Sequence, residues 1–457
     1  MISTKMKKII YIISLALMFI GCSSSEERNH ILKVYNWADY IDEELIGEFE
    51  QWYEEQTGEP IKVMYETFDI NENMLTEIEI GHEDYDVVCP SEYIIERMLR
   101  KNLLQPINKE FPAGTPNWLG NVSPFVVDKF QQMATKPGMD VSDYAVGFMW
   151  GTTGILYNTR LVKPEEVESW DALYNPRFQE RILMKDAFRD IYSVMVCYAN
   201  YQNILDGKVT RDDLVANITD ENIFKVEDAL FRAKKQIAGW EVDFGKERMT
   251  QEKAWINVTW SGDAMWAIEE TAELGVELDY IVPKEGSNCW FDGWVIPVYA
   301  KNPKAASYWI NFMCNSENAV RNMNEIGYVS VIGTEEVMDA MADDEIEEAY
   351  DLSYFFQGIE GADSLHINPV MYPDKSVIER CALMHDCADK NEDMLVMWSR
   401  VKGNSLDTEM LTFIIVVFTA IFAAIAWHHF KKWRKRKLRR LRLKEFTKKM
   451  HDKGRHI

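Results

Sequence analysis

ILKVYNWADYIDEELIGEFEQWYEEQTGEPIKVMYETF, Ile31 to Phe68, decides the fold class. ILKVYNW is a short β pattern. The stretch from Ile41 has helical periodicity and stops at Gly58, and PIKVMYETF is a second strand. NENMLTEIEIG continues as a helix ended by Gly81, and YDVVCP as a third strand closed by Pro90. SEYIIERMLRKN opens with Ser91 at an N-cap position and lays Ile94, Ile95, Met98 and Leu99 on one apolar face. Strand alternating with helix predicts a mostly parallel sheet covered on both faces. Ligands of such sheets gather at the carboxyl ends of the strands. There YNWADY, Tyr35 to Tyr40, crowds three rings and a carboxylate where a strand feeding only a core would carry Val and Ile. Trp37 and Tyr40 follow the first strand, and Ser91 and Tyr93 the third, so the four share one rim.

Further along, Pro106 to Val141 is loop-like. DYAVGFMWGTTGILYNT, Asp143 to Thr159, is apolar, β-prone and broken by glycines, as a strand crossing between two lobes would be. Helix-rich sequence runs to Ala238. WINVTWSGDA then places a strand before a Ser-Gly turn and a helix, and LDYIVPKEGSNCWFDGWVIP brings a second crossing. SYWINFMCNSENAVRNMNEIG reads as a further helix. There is no tandem repeat and no phosphate-binding glycine loop.

At 457 residues, 47% of them hydrophobic, the chain is too long for one small core. Its formal charge of −24 hides an asymmetry: Lys431 to Ile457 holds fourteen Lys or Arg against two acids, whereas residues 23–427 hold 33 basic and 72 acidic side chains. An acidic body repels nucleic acid and draws small cations toward any cleft. Both ends carry membrane signals. Residues 1–22 have lysines at 5, 7 and 8, an apolar run from Ile9 to Ile20, and Gly21 before Cys22. At the other end, 410–427 is uncharged and long enough to span a bilayer, with the basic tail 428–457 placed on the cytoplasmic side by the positive-inside rule. The body between lies outside the inner membrane. It holds six cysteines without CxxC spacing or paired histidines, which argues against zinc. Disulfides are chemically allowed there, but their pairing is open, and Cys381 with Cys387 is poorly spaced for a bond on one helix.

YNWADY, YDVVCPSEY, the WG before GILYN, ILMKDAFRD, TWSGDA, CWFDGWVIP and NEIGYVSV resemble, in order over about residues 31–402, the spermidine/putrescine-binding periplasmic proteins of ABC importers. The resemblance implies a two-lobed α/β solute-binding fold with crossing strands and ligand between the lobes. Lobe 1 would take 30–144 and 290–332, and lobe 2 145–289 and 333–405. The N-terminus resembles a lipoprotein signal that leaves a lipidated Cys22. The implied ligand walls are Trp37, Tyr40, Trp260, Trp290 and Tyr328, with Ser91 and Tyr93 beside them. Asp292 is the implied amine-binding acid, Asp190 the second acidic contact, and Asp186 lies near it. Ala38 and Ala187 stand where some members carry a hydroxyl and an acid, and Met384 where those preferring spermidine often carry an amide. The choice between putrescine and spermidine stays open. The implied partners are a polyamine, an inner-membrane ABC permease and membrane lipid, with no nucleic acid, cofactor or metal.

Residue chemistry supports the same ligand class. A polyamine is a string of ammonium groups separated by methylenes, so its site needs carboxylates and flat apolar walls. Cations stacked on rings gain roughly 0.5–2 kcal/mol each, and charge-assisted hydrogen bonds are about twice as strong as neutral ones. Asp263 reads as the first-turn acid of a helix and is set aside. The rival readings are a membrane-anchored sensor, a binder of another cationic solute and a glycosidase. No carboxylate pair or nucleophile motif favours the glycosidase, and the adjacent tyrosine pair of ferric-iron binders is missing.

Overall fold

A computed structural model describes residues 28–242, 244–272, 274–403, 427 and 431. The expected leader with Cys22 lies outside them, as do the 410–427 segment apart from Trp427 and the basic tail apart from Lys431. No helix among the described residues is long and apolar enough to cross a membrane. The chain divides into a unit ending at Val401 and a second from Lys402. The first holds the strands and helices that build the site.

Among the described residues, eleven strands position that site: β1 (Ile31–Trp37), β2 (Lys62–Phe68), β3 (Val87–Val88), β4 (Leu104–Gln105), β5 (Ala145–Asn158), β6 (Ile182–Lys185), β7 (Ile237–Glu241), β8 (Ile256–Trp260), β9 (Leu278–Ile281), β10 (Ser287–Pro297) and β11 (Val329–Ser330). The helices include α1 (Glu44–Thr57), α2 (Asn71–Glu79), α3 (Glu92–Arg100), α4 (Pro124–Gln131), α5 (Phe188–Ala199), α6 (Ser261–Ala272), α7 (Pro303–Met313), α8 (Ser316–Ile326) and α9 (Asn391–Lys402). The strand order is β2-β1-β3-β10-β5-β8-β6-β7.

The expected strand–helix alternation holds through residue 100. Helix α1 stops at Gly58, whose φ of 72° is left-handed and costs least without a Cβ. The third strand shrinks to two residues, and α4 interrupts the expected loop. The single helix expected over 307–327 is two, because Asn315 ends one and caps the next by accepting from the Glu317 and Asn318 amides. The six cysteines of the body are buried, unpaired thiols.

Along that strand order the sheet is parallel only at its flanks: β1 with β2 and β3, and β6 with β7 and β8. In its middle β5 and β10 run antiparallel to each other and to their neighbours. They are the two crossing strands. The first half of β5 pairs with β10 and β11, and its second half with β8 and β9. All fourteen residues of β5 and all eleven of β10 are buried, as in a strand covered on both faces.

Alternation along β10 divides its duties. Phe291 stacks 6.0 Å from Trp150 of β5, which in turn stacks 5.3 Å from Phe355. Asn288, Trp290 and Asp292 point to the other face. Two glycines make room for them. A Cβ on Gly151 would lie 2.5 Å from the Trp290 ring, and one on Gly262 would lie 2.3 Å from the Tyr328 ring. Tyr328 is itself wedged against Tyr40 and Trp290. Gly262→Ala is therefore expected to cost about 1–3 kcal/mol, the usual scale of overpacking. The check is a lowered urea midpoint with an unchanged m-value; an unaltered midpoint would show that the ring has room to move.

A circuit of rings and carboxylates on the crossing strands

Asp292 sits opposite a bulge in β5, where Phe148 is the extra residue and the register shifts between Asp292 and Gly293. Its Oδ2 accepts from the Tyr40 hydroxyl at 2.8 Å and its Oδ1 from the Ser91 hydroxyl at 2.7 Å. Ser91 occupies the N-cap position of α3 with extended backbone, but its side chain makes no capping bond. The Ser91 hydroxyl instead donates to Asp292 and accepts from the Asn71 amide, so its oxygen is turned to the site rather than to the helix. Asn71, the first residue of α2, donates to both the Ser91 and Tyr93 hydroxyls, at 3.0 and 3.1 Å.

Burial in this apolar niche pushes the Asp292 carboxyl up to about 7, although the Ser91 and Tyr40 hydroxyls pull the other way. The Trp37 indole also favours the ionised form, while its N–H makes no regular hydrogen bond. Trp37 leans on Phe68 at 4.6 Å and is half-buried. Asp39, in the same loop, has a φ of 50° and points to solvent.

Asp190, in the first turn of α5, is the second buried carboxylate. It accepts from Asn288 Nδ2 at 2.9 Å, the Trp260 indole at 3.2 Å and the Thr153 hydroxyl at 3.3 Å. All three meet Oδ1, leaving Oδ2 without a protein donor among the described residues. Burial raises its pKa, opposed by those donors. Among the described residues neither Asp190 nor Asp292 has a cation within ion-pair distance.

The remaining contacts close a circuit around Trp290. Tyr40 and Tyr328 meet edge-to-face at 5.1 Å, and Trp290 lies 5.6 Å from Tyr328. The Tyr328 hydroxyl donates to Asp263 at 2.8 Å, and Asp263 pairs with Lys185 at 2.5 Å. Lys185 Nζ lies 4.3 Å from the Trp260 ring centre, and Trp260 leads back to Asp190. Trp37, Tyr40, Ser91, Asp190, Trp260, Trp290, Asp292 and Tyr328 thus converge. Tyr93 stands at the edge, its hydroxyl on Glu72 at 3.3 Å and its ring 5.5 Å from the Arg189 guanidinium. Asp186, expected near Asp190, turns to α9 and accepts from the Trp398 indole at 2.9 Å.

Asp263, set aside as a first-turn acid, belongs to the circuit. It is buried, and a tyrosine and a lysine hold it. Lys185 and Asn288 escape sequence reading altogether, since a lone lysine at a strand end carries no periodic signal. Glu92, next to Ser91, is fully buried with its Oε2 on the Phe291 amide, and burial pushes its pKa up. Among the described residues no three His, Cys, Asp or Glu side chains converge to hold a metal. What the arrangement offers is walls of aromatic ring and two carboxylates held only by neutral donors.

Residues 48–349 match the model of the bacterial extracellular solute-binding proteins. The spermidine/putrescine-binding periplasmic protein of Escherichia coli K12 is 28% identical over 323 residues, covering 70% of this chain and 82% of its own. The putrescine-binding periplasmic protein of Pseudomonas aeruginosa UCBPP-PA14 is 27% identical over 324 residues, covering 68% and 80%. Among solved structures, the spermidine/putrescine ABC transporter substrate-binding protein of Streptococcus pneumoniae superposes with a TM-score of 0.58 at 27% identity, over 82% of this chain and all of that one. With crossing strands joining two α/β halves and a family match over most of its body, the chain belongs to the bacterial extracellular solute-binding proteins.

Proposed function

We propose that this protein binds a polyamine of the putrescine or spermidine class outside the inner membrane and hands it to an ABC permease. The observation that carries the reading is the pair of buried carboxylates, Asp190 and Asp292, that lack a cation amid Trp and Tyr rings. A buried acid left uncompensated is costly, and an ammonium supplies the missing charge while its methylenes lie on the rings. The names of the relatives support the same ligand class. Asp292, Asp190 and Asp263 are the acids of the site. Trp37, Tyr40, Trp260, Trp290 and Tyr328 form its walls, with Ser91 and Tyr93 orienting them.

The lobes divide as 30–144 with 290–332, and 145–289 with 333–405, and β5 and β10 pair across the boundary. Closure of the lobes selects the ligand-bound arrangement without chemistry on the ligand. The Gly21-Cys22 leader and the apolar 410–427 segment support tethering on the periplasmic face of the membrane, by lipid, by a spanning helix or by both.

Calorimetric titration of the full chain with putrescine and with spermidine tests the reading. Heat with at least one is expected, and heat with neither overturns it. Asp292→Asn should weaken binding about 10- to 100-fold, matching the 1.5–3 kcal/mol of a hydrogen bond to a charged group, in a protein that still melts cooperatively. An unchanged affinity would remove Asp292 from the site.

The raised pKa of Asp292 gives a second expectation. Folded, the carboxyl titrates near 7; unfolded, near 3.9. Between those values the native state binds more protons, so ligand-free stability falls as pH rises through the window. The loss amounts to about 2–4 kcal/mol by pH 8. Asp292→Asn should lack this part of the slope and gain on wild type from pH 5 to pH 8 in paired denaturation curves. Parallel curves for the two proteins would refute the assignment.

A further inference from the structure

Lys185 is the last residue of β6 and is almost wholly buried. Its ammonium pairs with Asp263 at 2.5 Å and Glu241 at 3.4 Å, donates to the Val242 carbonyl, and sits over the Trp260 ring. A cation boxed by a tryptophan face and two carboxylates has the environment that an amine ligand would seek. Here the chain fills that box itself. Glu241 is further fixed by the Gly245 amide and Asn257, so the ammonium is built in.

We infer that Lys185 occupies one ammonium position of the site and so restricts the ligand to a short diamine, a dication with about four methylenes, against a triamine. This rests on the polyamine reading and sharpens it.

Asp263 and Glu241 share the Lys185 ammonium, whereas among the described residues Asp190 and Asp292 meet only neutral donors.

Length agrees with charge. Asn288, which holds Asp190, and Asp292 lie on the same face of β10 with Trp290 between them. Four residues of strand span about 13 Å. An extended four-carbon diamine measures about 6 Å between nitrogens, five bonds in zigzag. With an N···O contact of about 2.8 Å at each end it spans roughly 12 Å, comparable to the Asn288–Asp292 stretch of β10 that carries Trp290. A triamine is about 5 Å longer. Beside Asp190 stands Met384, buried, which presents its sulfur to Asn288 Nδ2 at 3.5 Å. On the other side of Trp260 the triamine meets the Lys185 ammonium, a like charge.

The test titrates the full chain calorimetrically with 1,4-diaminobutane and with spermidine, as wild type and as Lys185→Gln. Wild type is expected to bind the diamine at least tenfold more tightly. Lys185→Gln, which vacates the charge but keeps a polar group between Asp263 and Glu241, is expected to move the ratio tenfold or more toward spermidine. Tighter binding of spermidine by wild type overturns the inference and leaves the polyamine reading standing. So does an unshifted ratio in a Lys185→Gln protein that still melts cooperatively. Should that variant fail to fold, the wild-type order decides alone. Heat with neither amine removes the polyamine reading itself, and the inference with it.

Discussion

The site turns on a cost: Asp190 and Asp292 are carboxylates taken out of water without a cation to meet them. Taking a charge out of water is expensive, and the usual remedies are a partner of opposite sign or protonation. The protein adopts neither fully. It gives Asp292 two hydroxyl donors and Asp190 an amide, an indole and a hydroxyl. Neutral donors orient the oxygens and lessen the penalty, but they leave the charge to be balanced from outside. The pull of burial on both carboxyls upward in pKa measures what remains. Each neighbouring feature can be traced to keeping those two groups buried and poised.

The crossing strands meet that requirement. A residue on β10 is shielded on both faces, so an acid placed there is desolvated by the sheet itself. Alternation then sends Phe291 into the aromatic stack and Asp292 into the circuit of rings, so one strand both packs the core and positions the acid. The missing side chains at Gly151 and Gly262 are local concessions to large rings. They also make the site intolerant, because the rings bear on one another and a shift at Tyr328 is felt at Tyr40 and Trp290.

Much of this is legible in the sequence, for identifiable reasons. Strand and helix periods in residues 31–100 are strong because each element buries one face, and Gly58 and Gly81 mark helix ends. The rings and acids of YNWADY and CWFDG stand out because such residues rarely share a strand end. What escapes is whatever depends on long-range pairing. The central strands are antiparallel because they cross from one half to the other, and no local period records direction. Ser91 reads as a cap because cap and ligand-side hydroxyl share one sequence signal, and only the approach of Asp292, two hundred residues later, separates them. Asp263 misleads similarly, since a first-turn acid is ordinarily solvated and here is buried against Tyr328 and Lys185.

Lys185 shows why the acidity of the chain is a poor guide to the charge of its site. The body is strongly acidic, which steers any cation toward it without discrimination. Discrimination requires a repulsive element as well as an attractive one. Placed on Trp260 and locked by Asp263 and Glu241, a single internal ammonium does both: it occupies a box of two acids that would otherwise recruit ligand, and it repels an ammonium arriving beside it. Overall charge then governs encounter, while the short list of acids without a cation governs which amine stays.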